Sequence, residues 1–163
     1  MIHNFCPFCW VEISMDERVC PRCNRNIEDW DEKSYVEKLM HSLNHVERST
    51  MYRVCYILGE RREKVALEPL IDLLYETNDH FLMEEIVEAL GKIGDERAVP
   101  HLIKMLNENS FLVRGKAATV LGKFDAREEA IEALRRATTD CSTYVRELAR
   151  ASLHKLREGR CQV

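Results

Sequence analysis

Four dipeptides set at one step constrain this chain most: Leu58-Gly59, Leu90-Gly91, Leu121-Gly122 and Leu153-His154, whose leucines lie 32, 31 and 32 residues apart. A second ladder of the same step runs beside it through Leu70, Leu102 and Leu134, with Ala66, Ala98 and Ala130 and the apolar Leu67, Val99 and Ile131 in register. Two ladders of one period imply a repeated unit that buries its apolar face only against its neighbours. Within the first unit Tyr35, Val36, Leu39, Met40 and Leu43 recur at helical spacing, so the units are built of helices. Breakers such as Gly59, Thr77-Asn78-Asp79, Gly91 to Asp95, Asn107 to Asn109, Gly122 and Thr138-Thr139-Asp140 part these helices. The pattern predicts an all-α, right-handed α-solenoid of about four helix pairs over 34–157, with units at 34–60, 64–92, 96–123 and 127–157 and a tail at 158–163. Asp79, Ser110 and either Asp140 or Ser142 are the expected N-caps of second helices.

Residues 1–27 are a different module. Cys6 and Cys9 form one C-x-x-C knuckle, Cys20 and Cys23 another, with ten residues between them. Two residues between thiolates let both sulfurs turn to one ion, and two such pairs complete a tetrahedral four-cysteine site. Pro7 and Pro21 stand at matching places, and Val11, Ile13 and Val19 can supply a small hairpin. A segment this short cannot be stabilised by apolar burial alone, so a single structural Zn2+ is expected to contribute the stability. An acidic linker at 28–33 follows, with Trp30 expected to pack where this module meets the first helix.

These residues carry two resemblances. Phe5-Cys6-Pro7-Phe8-Cys9 and Val19-Cys20-Pro21-Arg22-Cys23 resemble the short zinc-ribbon family, with Trp10 and Asn24 where that family has glycine. Asn tolerates the left-handed conformation and Trp does so poorly, so the turn after Cys9 is expected to differ from the family's. Val113-Arg114-Gly115-Lys116-Ala117-Ala118-Thr119-Val120-Leu121-Gly122 resembles the second helix of short HEAT repeats of the phycobilisome-lyase type, and Val145-Arg146 with Ala149 and Leu153 repeats it. The turn from Gly91 to Pro100 resembles the link between such repeats. The likeness implies that Arg114 and Arg146 bond acidic or carbonyl groups of the preceding loop. Met51 and Met83 hold that place in the first two units, where the ladder is missing.

The resemblance implies a binding scaffold whose second helices line a groove, so the charge along the repeats carries the functional reading. From Val65 to Gly91 there are seven acids and no Lys or Arg, whereas Ser142 to Val163 holds Arg146, Arg150, Lys155, Arg157 and Arg160 against Glu147 and Glu158. The expectation is a non-catalytic protein-interaction adaptor, its groove taking a basic protein partner at Glu84, Glu85 and Glu88, with Arg146, Arg150 and Trp10 as further contacts. One alternative is nucleic-acid binding by Arg18, Arg22 and Arg25 with the basic last helix, disfavoured by a net charge of −4. The other is an accessory, lyase-like protein binding a small ligand or chromophore.

No enzyme is expected. The hydroxylase of this fold holds iron with His-Glu pairs, and no His-Glu dipeptide occurs among the six histidines, His3, His41, His45, His80, His101 and His154. No phosphate loop, nucleophile elbow or metalloprotease motif is present. Cys55 is expected in the core, with Cys141 and Cys161 as candidate reactive thiols. No apolar run spans a bilayer, and Met1-Ile2-His3-Asn4 lacks the plan of a signal peptide, so a cytoplasmic protein is expected.

Overall fold

The computed structural model describes residues 4–14, 16–45, 47–124 and 128–160. Cys161 and His3 lie outside them, and the side chains of Glu158 and Arg160 are likewise not described. Two short strands, β1 (Asn4–Phe5) and β2 (Glu12–Ile13), pair antiparallel. Among the described residues eight α-helices follow: α1 (Tyr35–Ser42), α2 (Arg48–Glu60), α3 (Leu67–Glu76), α4 (His80–Ile93), α5 (Val99–Met105), α6 (Phe111–Leu121), α7 (Glu128–Ala137) and α8 (Thr143–Arg160). The fold is all-α and solenoid-like, with two compact units, Met1–Val54 and Cys55–Val163.

Both sequence ladders are core except at the last rung, where Leu153 is half-buried. Leu58, Leu90, Leu121, Leu70, Leu102 and Leu134 are fully buried, as are Ala66 and Ala98. In the second unit α6 packs between α4 and α8, so the second helices of successive repeats stack directly. Glycine sets how closely. A Cβ on Gly91 would come 2.5 Å from Val120 Cγ1, one on Gly122 2.6 Å from Ser152 Cβ, and one on Gly59 2.8 Å from the Ala89 backbone. The Leu-Gly period therefore records two needs at adjacent positions: a buried knob, then a notch for the next helix.

The first helices of the second and third repeats begin one turn later than the sequence pattern suggests, after short 3-10 turns at Lys64–Ala66 and Glu96–Ala98. Local bonds fix the remaining ends. Ser34 and Glu37 form a reciprocal capping box at α1, and Asp79 caps α4 by accepting from Phe81 and Leu82 N–H. Ser110 holds the N-cap position of α6 without a side-chain bond. Gly94 ends α4 at φ +70°, the left-handed conformation for which glycine carries no Cβ penalty.

Candidate functional site

The two knuckles of the first unit bring together a group of side chains that could hold a metal ion. Cys6 N–H donates to Val11 O and Trp10 N–H to Cys6 O; Cys20 N–H donates to Arg25 O and Asn24 N–H to Cys20 O. The two turns are the same, step for step. Trp10 and Asn24 both adopt the left-handed conformation, at φ 56° and 55°. The expected difference after Cys9 is therefore absent: Trp10 accepts the conformation that glycine would take freely, while its ring packs 5.1 Å from His41 and 4.5 Å from His45.

These turns bring four sulfurs together. The Sγ atoms of Cys6, Cys9, Cys20 and Cys23 all lie within 4.8 Å of one another, with Cys6–Cys23 at 3.7 Å and Cys9–Cys20 at 3.5 Å. A tetrahedral ion with metal–sulfur bonds of about 2.3 Å needs sulfurs about 3.8 Å apart, so the site has the right size for one. Burial pushes the Cys6 thiol up to about 12, against backbone N–H groups of Phe8 and Cys9. Burial also works to raise Cys20, but the N–H groups of Cys23 and Arg22 and the neighbouring thiols draw it down to about 6. Backbone donors aimed at sulfur favour thiolates, the form that binds a metal. Among the described residues, this is the group of His, Cys, Asp or Glu whose geometry suits a metal ion.

An aromatic cluster seats this site on α1. Phe8 meets Trp30 edge-on at 5.4 Å, and His41 lies 5.2 Å from Trp30. A carbonyl can only accept, so His41 Nε2 carries the proton in its 2.9 Å bond to Phe8 O. Trp30 packs where the sequence places it. The histidines were not legible as part of this cluster, although their four-residue spacing was the available signal.

The second unit carries the charged second-helix face. Glu88 lies between two lysines of the next repeat, Lys123 at 2.9 Å and Lys116 at 3.5 Å. Burial alone would raise its carboxyl, but the hydrogen bond and charge of Lys123 and the charge of Lys116 hold it below its ordinary value. Lys92 reaches back to Glu60 at 2.7 Å and covers the Tyr56 ring. Glu84 differs: burial raises its carboxyl, and its Oε1 is buried with no hydrogen-bond partner among the described residues. Within the acidic stretch, Glu88 thus meets lysines of the following repeat and Glu68 meets Arg97. Lys92, Lys123 and Lys155 each follow a ladder leucine by two residues, a signal present in the sequence and not used.

The two arginines of the repeat motif bond as the resemblance implies. Arg114 donates to Glu108 O and Asn109 O through Nη1, at 2.8 and 2.9 Å. Its Nε and Nη2 hold Asp140 bidentately at 2.8 and 3.0 Å. Arg146 donates through Nη1 to Asp140 O and Cys141 O, at 2.8 and 3.0 Å. Arg150 is exposed on α8. Cys55 is buried and pushed up to about 12 by burial and by Glu85, the state of an inert core thiol. Cys141 is exposed, its sulfur 3.4 Å from Arg114 Nη2.

Set beside known proteins, these repeats have a family. A profile of HEAT repeats matches residues 36–119 and, overlapping, 84–154, which together cover well over half of the chain. The chain belongs to the HEAT-repeat family. Among solved structures it is similar to human deoxyhypusine hydroxylase in complex with glycerol, with a TM-score of 0.66 and 24% identity over 78% of this chain and 45% of that one. It is also similar to the complex of CpcE and CpcF of phycocyanin lyase from Nostoc sp. PCC7120, with a TM-score of 0.56 and 22% identity over 77% of this chain and 66% of that one. The chain thus spans less than half the length of the first and just under two thirds of the second. No curated protein matches it by sequence. At these identities the likeness is one of fold.

One expectation is corrected by these relatives. The absence of familiar catalytic motifs reads as a chain that is not an enzyme, yet this fold occurs in a hydroxylase and in a lyase complex. HEAT repeats are a frame on which chemistry can be mounted by a few residues at dispersed positions, which motif spacing does not register. The exclusion of catalysis falls, and with it the specifically non-catalytic adaptor.

Proposed function

We propose that this chain is an accessory, lyase-like HEAT-repeat protein that binds a small ligand or chromophore on the second-helix face of α4 and α6, with one structural Zn2+ held by Cys6, Cys9, Cys20 and Cys23. The observation that carries the reading is the likeness of fold to a lyase complex and a hydroxylase over more than three quarters of this chain. The charge pairing supports it. Glu88 is already matched by Lys116 and Lys123, so the face suits a ligand of mixed polarity better than a strongly basic partner. Zinc would supply folding stability to the first unit, not a reacting centre, since thiolates fill all four positions.

The test uses the full chain, loaded with zinc, and an open-chain tetrapyrrole as the chromophore probe. The expected result is a saturable change in the probe's absorption spectrum that weakens in Lys123→Glu, which sets a carboxylate against Glu88. A spectrum that stays that of the free probe at every protein concentration would overturn the chromophore reading.

A further inference from the structure

The repeat motif occurs twice with its arginine, and the two copies differ in one respect. Arg114 and Arg146 use Nη1 in the same way, each donating to the carbonyls six and five residues before it. The remaining edge of Arg114, Nε with Nη2, is filled by the Asp140 carboxylate of the following repeat. On Arg146 that edge has a single partner among the described residues, Thr143 Oγ1, 2.7 Å from Nη2. Its guanidinium is therefore held in place by three bonds, while among the described residues the Nε side of its fork meets no carboxylate. A planar fork fixed in advance loses little freedom when a carboxylate docks.

The surroundings favour an acidic occupant. Arg146 sits in the first turn of α8, where the helix dipole adds to its charge. Arg150, Lys155 and Arg157 are exposed along the same helix, against the one acid Glu147 between Ser142 and Arg157.

The geometry points to Arg146 as a docking residue for an acidic protein segment, taking an Asp or Glu side chain as Arg114 takes Asp140. The proposal uses none of the residues named for the ligand face and does not depend on that reading.

The experiment follows the Nε–Hε resonances of the wild-type full chain by NMR, with a capped peptide of alternating Asp and Glu as the probe. The expected result is a saturable shift of the Arg146 resonance while that of Arg114, already engaged, stays still. Arg146→Lys, which keeps the charge and loses the fork, should weaken peptide binding about tenfold. Two results would overturn the proposal: an Arg146 resonance that the peptide leaves unmoved, or tighter binding there of a single-stranded DNA of equal charge. The wild-type resonances read directly on the site, so a folding defect in the variant would not obscure the answer.

Discussion

The Arg114–Asp140 pair shows how one residue can couple two repeats. Both side chains are about nine-tenths buried, at 10% and 11% exposure, and each satisfies the other with two short bonds. Removing one partner of such a pair leaves a charge stranded in a poorly solvated site, at a cost of about 3–5 kcal/mol. Asp140→Asn should therefore lower the melting temperature by roughly 6–20 °C. The same pair predicts an acid limb. The hydrogen bond from Arg114 holds the Asp140 carboxyl below its ordinary value against the opposing effect of burial. A depressed carboxyl contributes stability in full above the unfolded value of about 3.9 and loses it as pH falls through the lower folded value. Wild-type stability should thus fall more steeply than that of Asp140→Asn in this acid range, measured by urea unfolding. Parallel curves would mean that the pair does not report on folding.

At the scale of helices, stacking distance is the controlling quantity. Gly91 faces Val120 with no room for a methyl group, because the obstructing atoms are the branched end of a buried, stiff side chain. Gly91→Ala should cost about 1–3 kcal/mol by overpacking between α4 and α6. The double variant with Val120→Ala should recover part of that loss, because it empties the space the new methyl needs. A double variant less stable than both singles would show that the glycine serves some purpose other than close approach. The contrast with His154 belongs to this scale as well. The notch recurs at the ends of α2, α4 and α6, and His154 stands at the matching place in α8.

The molecule as a whole divides its stability between two physical sources. The second unit holds α3 to α8 and the buried ladders, whereas the first has a small core of Cys6, Phe8 and Cys20 with Trp30 packed on it. Trp10 and Trp30 are the chain's two tryptophans, so tryptophan emission excited selectively reports on the first unit alone. Zinc removal by a strong chelator should shift tryptophan emission to the red while most of the helical circular dichroism remains, and zinc should reverse the shift at one ion per chain. Unchanged emission from a chain proven free of metal would rule out a folding role for the ion.

The amino-acid sequence by itself determined the helical repeat, its period, its buried ladders and the four-cysteine set. In a repeat array each unit contacts only its neighbours, so burial recurs along the chain and can be read in one dimension. Cys6, Cys9, Cys20 and Cys23 were equally legible, because two-residue spacing within each knuckle reflects the ligand geometry directly. Only the tertiary structure decided which charges meet. Glu88 finds Lys123 across 35 residues and Arg114 finds Asp140 across 26, through helix stacking and rotamer choices that no local pattern encodes. It also decided the fate of Trp10, whose unfavourable backbone conformation coexists with the packing of its ring on His41 and His45. A residue's own preference is a local energy, and contacts made elsewhere in the fold can outweigh it.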